Sequence, residues 1–164
     1  MTQDSRLTQV LGLVGWLALA FVAAAVGGFA AADAPTFYAQ LALPSWAPPA
    51  GAFGPVWTVL YTLMGIAAWL VWRERRVRPA APALALFGAQ LAVNALWSWF
   101  FFAWKSGVGA FVAIVLLLGL IVATMVAFYK VRPAAGLLFV PYLAWVCLAT
   151  ALSWTVWRSN PSLL

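Results

Sequence analysis

The chain alternates long apolar stretches with short clusters of charge. Leu7 to Ala32, Ala80 to Trp104, Ser106 to Tyr129 and Pro133 to Trp157 each run 24 to 26 residues without a charged side chain. A helix needs about 20 apolar residues to cross the hydrocarbon core of a bilayer. A further uncharged run, Ala34 to Trp72, is too long and too rich in proline to be one helix. Pro44, Pro48 and Pro49 break its front half, whereas Pro55 suits a first helical turn, where a missing N–H loses no bond. The pattern predicts five spans, over 7–32, 55–72, 80–104, 106–129 and 133–157, in one transmembrane domain covering 1–164. The runs lack the two-residue alternation of roughly ten-residue barrel strands. The expected fold class is therefore an all-α membrane protein, a bundle of five transmembrane helices. Ala30-Ala31-Ala32 looks like a cleavage site, but the first run far exceeds the about 7–15 apolar residues of a signal peptide, so it is expected to stay as an anchor.

Composition narrows the function. Hydrophobic residues make up 66% of the chain and charged residues 7%. Soluble domains average about 45–50% and about 25%, so a soluble globule is excluded, and so is disorder. With no histidine, a Ser-His-Asp triad, a His-ligated haem and most zinc sites are excluded. The single Cys147 can form neither an internal disulfide nor a cysteine cluster, and no metal site is expected. The net charge of +6 is unevenly placed. Arg6, Arg73, Arg75, Arg76, Arg78, Lys130 and Arg132 share one membrane face; Lys105 and Arg158 lie on the other. The positive-inside rule puts the N-terminus in the cytoplasm and the loop Asp33 to Gly54 outside. Read this way the basic residues set topology in a lipid bilayer, and no nucleic-acid partner is expected.

Polar residues inside spans are costly, so each one carries information. Gln90, Asn94 and Trp97 share a face of the third span at spacings of four and three. They can form a hydrogen-bonded clamp between helices, or the few polar groups of a ligand cavity. Trp57, Tyr61, Gly65 and Ala68 form a stripe on span two, and Tyr142, Trp145, Ala149 and Ser153 form another on span five. A ring beside a small residue leaves a slot in which a flat apolar ligand can stack. Trp69, Trp72, Trp99, Trp104, Trp154 and Trp157 lie near span ends and fit an interfacial belt, which mid-span Trp145 does not. Ala81, Ala85 and Ala89, with Gly88 and Ala92 beside them, permit close helix approach, either within one chain or between two copies. The stiff segment Pro44 to Pro49 can cap a pocket or simply connect two spans.

Several motifs resemble the tryptophan-rich sensory protein family, which includes the mitochondrial translocator protein or peripheral-type benzodiazepine receptor. They are PSWAPP followed by GPVWTVLYTLMG within Pro44 to Gly65, QLAVNALWSWFFF from Gln90 to Phe102, PYLAWVCLATAL from Pro141 to Leu152, and the closing VWRSN from Val156 to Asn160. The resemblance implies a five-helix bundle, usually a homodimer, with one cavity opening toward the first loop. It implies binding of porphyrins such as protoporphyrin IX, of sterols and of benzodiazepine-site drugs, by a sensor, carrier or sequestering protein. Trp57, Gln90, Asn94, Trp97, Trp145 and Ala149 would line or support the cavity, with Tyr61 and the loop residues Trp46 and Phe53 near it. Light-dependent porphyrin breakdown, with Trp57 and Trp145 as the reacting side chains, and tetrapyrrole transport are the alternative readings. The family's spread implies a bacterial source, and the charge bias favours the cytoplasmic membrane. The chain departs from the family at Ser153-Trp154, where relatives carry Asn followed by Tyr or Phe and the sterol motif needs that Tyr. It departs again at Ala50-Gly51, where relatives often carry His and Trp.

Overall fold

The computed structural model describes residues 5–75 and 79–164; Arg76 and Arg78 of the basic cluster lie outside the described residues. The helices are α1 (Arg6–Ala30), α2 (Ala34–Tyr38), α3 (Phe53–Arg73), α4 (Ala81–Ser98), α5 (Gly107–Val131), α6 (Pro133–Leu137) and α7 (Val140–Ser159). No strand occurs among the described residues. Five segments are long and apolar enough to cross a membrane: Arg6–Ala30, Ala50–Arg73, Ala81–Ala103, Gly107–Val131 and Pro133–Ser159. They coincide with the five expected spans to within a few residues at most ends. Hydroxyl caps set two starts: Ser5 accepts from the Thr8 N–H at 3.2 Å, and Ser106 from the Gly109 N–H at 3.2 Å.

Three local features depart from simple spans. The fifth is broken between α6 and α7, because Pro141 has no N–H to bond back one turn. The chain tightens there instead, with the Phe139 N–H on the Gly136 carbonyl at 3.0 Å. The first loop contains α2, whose Pro35 sits in the opening turn. The third span ends in a π turn, Trp99–Ala103, in which the Trp104 N–H reaches back to the Trp99 carbonyl at 2.8 Å.

α1 packs against α3 and α4, α4 against α5, and α5 against α7. Rings bridge α3 to α7: Phe53 meets Trp145 at 5.8 Å and Trp57 meets Tyr142 at 6.2 Å between centroids. Between lipid-solvated helices packing and hydrogen bonds supply most of the cohesion. Phe87, Phe128, Phe139 and Tyr142 accordingly interlock edge to face, or tilted, without exposure. Gly65 lets α1 approach closely: a Cβ there would lie 3.0 Å from the Leu17 Cα. The slot expected beside Gly65 is therefore filled by Leu17 of α1 and is not open to a ligand. The Ala81, Ala85, Gly88, Ala89, Ala92 stripe is exposed, which rules out the reading of it as an intrachain contact. At the basic end, Arg132 pairs with Glu74 at 3.0 Å and the Trp69 indole donates to the Gln9 carbonyl at 3.1 Å, joining the span ends.

Candidate functional site

A cavity of about 570 Å³ lies at the loop end of the bundle, enclosed by α1, α3 and α4 and roofed by α2. It brings together five of the residues singled out from the sequence: Phe53, Trp57 and Tyr61 from α3, and Asn94 and Trp97 from α4. Their helical spacing puts Trp57 and Tyr61 one turn apart, with ring centroids 5.6 Å from each other and planes inclined by 34°. Trp97 leans in the same tilted manner on Phe101 at 5.7 Å. The wall is mostly aromatic and small apolar, with few polar groups.

Gln90, Trp145, Ala149 and Trp46 are not in that wall. Gln90 is fully buried in a polar chain that crosses three helices. The Asn94 side-chain amide donates to the Tyr142 hydroxyl at 2.7 Å, and that hydroxyl donates to Gln90 Oε1 at 2.9 Å. The Gln90 amide in turn donates to Met64 Sδ at 3.6 Å. The clamp reading thus describes Gln90, while Asn94 serves in the clamp and edges the cavity as well. Trp145 stands one layer behind, its ring edge-on to Phe53. Ala149 is buried on α7, and Trp46 is exposed on the loop.

Sequence reasoning gave no role to α1, yet Ala24, Gly27 and Ala31 line the cavity with their small surfaces. The run of alanines around Gly27-Gly28 was the available signal: a Cβ on Gly27 would lie 3.1 Å from Ser98 Oγ, so this helix crosses α4 at close range. Two further residues hold the roof. The Tyr38 hydroxyl donates to the Pro48 carbonyl at 2.9 Å, and burial pushes this phenol above its ordinary range. Asn160 accepts from the Ala42 N–H at 2.8 Å, and its own amide donates to the Ala42 and Val156 carbonyls at 3.2 and 2.8 Å. The last residue of the VWRSN motif therefore ties the loop to the end of α7.

One buried donor of a wall residue has no partner. The indole N–H of Trp97 is buried and has no acceptor among the described residues. A buried donor without a partner is destabilising by about 1–3 kcal/mol, and this nitrogen has no accessible surface through which a molecule in the cavity could reach it. No group of three His, Cys, Asp or Glu suited to a metal ion occurs among the described residues.

Comparison with known proteins matches residues 16–158 to the model of the TspO/MBR family. The chain belongs to the TspO/MBR family. The match takes in α1 from Trp16 onward, the cavity wall, the Tyr142 network and nearly all of α7. This TspO/MBR protein is 43% identical over 126 residues to the human translocator protein, covering 76% of this chain and 75% of that one. It is 39% identical over 158 residues to the tryptophan-rich protein TspO of Chlorobaculum tepidum, covering 93% and 98% of the two chains. To protein CrtK of Rhodobacter capsulatus it is 40% identical over 147 residues, covering 88% and 92%. With its five apolar helices, this member is a multi-pass integral membrane protein.

Proposed function

We propose that this TspO/MBR protein binds a flat hydrophobic tetrapyrrole of the protoporphyrin IX type and serves as a sensor, carrier or sequestering protein for it. The observation that carries the reading is the roofed cavity with Trp57, Tyr61, Trp97 and Phe53 around one amide, Asn94. Its volume falls in the range of about 300–1,000 Å³ usual for small-molecule sites, and an apolar wall with few polar groups is their usual chemistry. Rings in the wall offer faces for stacking. Exposed Ala25, Gly28, Gly54 and Thr58 border the cavity between α1 and α3. That gap supports sideways entry of a ligand already dissolved in lipid. The N-terminus is cytoplasmic in this reading, on the charge bias alone.

Titration of the purified protein with protoporphyrin IX tests the reading through quenching of tryptophan fluorescence. Saturable quenching is expected, and affinity should fall at least about tenfold in the Trp57→Phe, Trp97→Phe double variant if the two rings together supply more than 1.4 kcal/mol. An unchanged affinity overturns the assignment of the cavity.

A second reading, light-dependent breakdown of the bound pigment, is favoured by the Trp57–Tyr61 ring pair, since an indole and a phenol in contact can furnish an electron to an excited ring. Bleaching of the complex faster than pigment in detergent, and slowed by Trp57→Phe, would support it; equal rates would end it. The homodimer is part of the same proposal. The exposed small-residue stripe on α4 supports a seam between two copies, and Gly88→Leu is expected to shift the mass measured by light scattering toward the monomer.

A further inference from the structure

A second cavity, of about 550 Å³, lies at the loop end and shares Ala34 and Phe102 with the first as a common wall. Its chemistry is different. Asp33, Thr36 and Gln40 contribute from around α2, and Lys105 contributes from just beyond the π turn, with Phe29 and Trp99 at the apolar side. Asp33 and Lys105 line one cavity, yet neither makes an ion pair among the described residues.

Lys105 is placed by a strained backbone. Among the described residues it is the only non-glycine with positive φ, at 48°, a conformation that costs about 1–2 kcal/mol for an ordinary side chain. Hydrogen bonds on both sides hold it there: Trp104 N–H to the Trp99 carbonyl and Ser106 N–H to the Phe100 carbonyl, each 2.8 Å. The side chain folds back so that its ammonium stands 4.9 Å from the centre of the Phe37 ring. Strain of this kind gathers at binding sites, where the surroundings enforce it. The cavity lies where the first and third apolar spans end, at Ala30 and Ala103. Trp104 there is 55% exposed, and tryptophan concentrates at the headgroup level of a bilayer.

We propose that this second cavity is a binding site for the zwitterionic headgroup of an aminophospholipid. The phosphodiester oxygens meet the Lys105 ammonium. The primary ammonium of the lipid meets the Asp33 carboxylate, with the Thr36 hydroxyl and the Gln40 carbonyl as further acceptors. The acyl chains run down the outer face of α1 past Phe29 and Val26, both exposed. One cation and one anion in one cavity complement a molecule that carries one of each. A purely anionic headgroup would bring its charge against Asp33. A choline headgroup has no N–H to give to three acceptors, whereas a primary ammonium has three.

Native mass spectrometry of the purified protein with phosphatidylethanolamine, phosphatidylglycerol and phosphatidylcholine tests this. Phosphatidylethanolamine should be retained over the other two by at least about tenfold, the worth of one charge-assisted hydrogen bond. Asp33→Asn and Lys105→Gln should each remove that preference, and Arg158→Gln, at the same end but outside the cavity, should keep it. On the unaltered protein, phosphatidylethanolamine acetylated at its amine should lose the advantage; this arm decides alone if either variant fails to fold. Equal retention of the three lipids overturns the proposal, as does a preference that survives both substitutions. Phosphatidylglycerol held best, and held better still by Asp33→Asn, also overturns it and assigns the cavity to an anionic group alone.

Discussion

The Tyr142 hydroxyl takes a hydrogen bond from the Asn94 amide at 2.7 Å, inside a bundle where neither residue has appreciable contact with solvent or lipid. It donates its own hydrogen bond to Gln90 Oε1 at 2.9 Å. In hydrocarbon no water replaces a lost partner. Tyr142→Phe therefore strands the Gln90 carbonyl and one Asn94 N–H together. The expected loss is about 1 kcal/mol or somewhat more, read as a lower midpoint of thermal unfolding in detergent. Gln90→Leu in the same background should cost less than it does in the native chain, because its carbonyl is already unpaired.

Trp57 and Trp145 stand at different depths, although both fall on the aromatic stripes read from the sequence. Trp57 is in the cavity wall and Trp145 stands behind Phe53. Trp57→Phe alone should weaken protoporphyrin IX measurably in a fluorescence titration, whereas Trp145→Phe should change affinity by less than about twofold, within the scatter of an indirect packing effect.

Asn160 makes two hydrogen bonds to the loop at Ala42 and a third to the Val156 carbonyl of α7. Asn160→Ala should speed hydrogen exchange around Ala42 and raise the ligand's dissociation rate more than it lowers association, since it frees the roof without touching the wall. Exchange rates equal to those of the native chain would contradict this attachment.

Tyr38 makes the roof sensitive to alkali. Burial raises its folded-state pKa above the ordinary value of 10.0. Below pH 10 both folded and unfolded forms keep the proton, and the hydrogen bond to Pro48 stabilises fully, by about 1 kcal/mol. Above that the unfolded phenol ionises first, so the contribution fades as pH rises through the folded pKa. The stability gap between the native chain and Tyr38→Phe should be flat from about pH 6 to 9 and shrink beyond 10.

Gly65→Ala sets a methyl group 2.8 Å from Leu17 Cδ2 and 3.0 Å from Leu17 Cα. The side-chain carbon can rotate away but the backbone atom moves only with α1. A loss of about 1–3 kcal/mol is expected. Gly119→Ala, where nothing lies within 4 Å, should be neutral or slightly stabilising through helix propensity. Both are read from thermal unfolding.

The spans were legible because bilayer thickness imposes a length that charge-free runs reveal directly. The side of α4 that carries Asn94 and Trp97 was legible for the same reason, since helical spacing is fixed. What spacing could not supply was depth behind the face. Gln90 and Asn94 share a stripe, but only the position of Tyr142 on another helix makes the first a clamp and the second a cavity edge. The slot at Gly65 failed because a gap on one helix is an invitation to its neighbour, and Leu17 accepted it. The α1 wall escaped notice because alanine and glycine carry no chemistry of their own; their contribution is to be small in front of something large.

The wide turn at Trp99–Ala103 has a genetic corollary. A π turn accommodates one residue more than the α-helical ladder around it. Each residue added to or removed from a helix swings the downstream chain by about 100°. Excising a single codon within this stretch would let the backbone relax into ordinary α geometry and spare Lys105 and the chain beyond it that rotation, whereas excising one from the regular turns of α4 would not. A deletion scan should therefore be more forgiving across these five positions than along the α-helical turns before them.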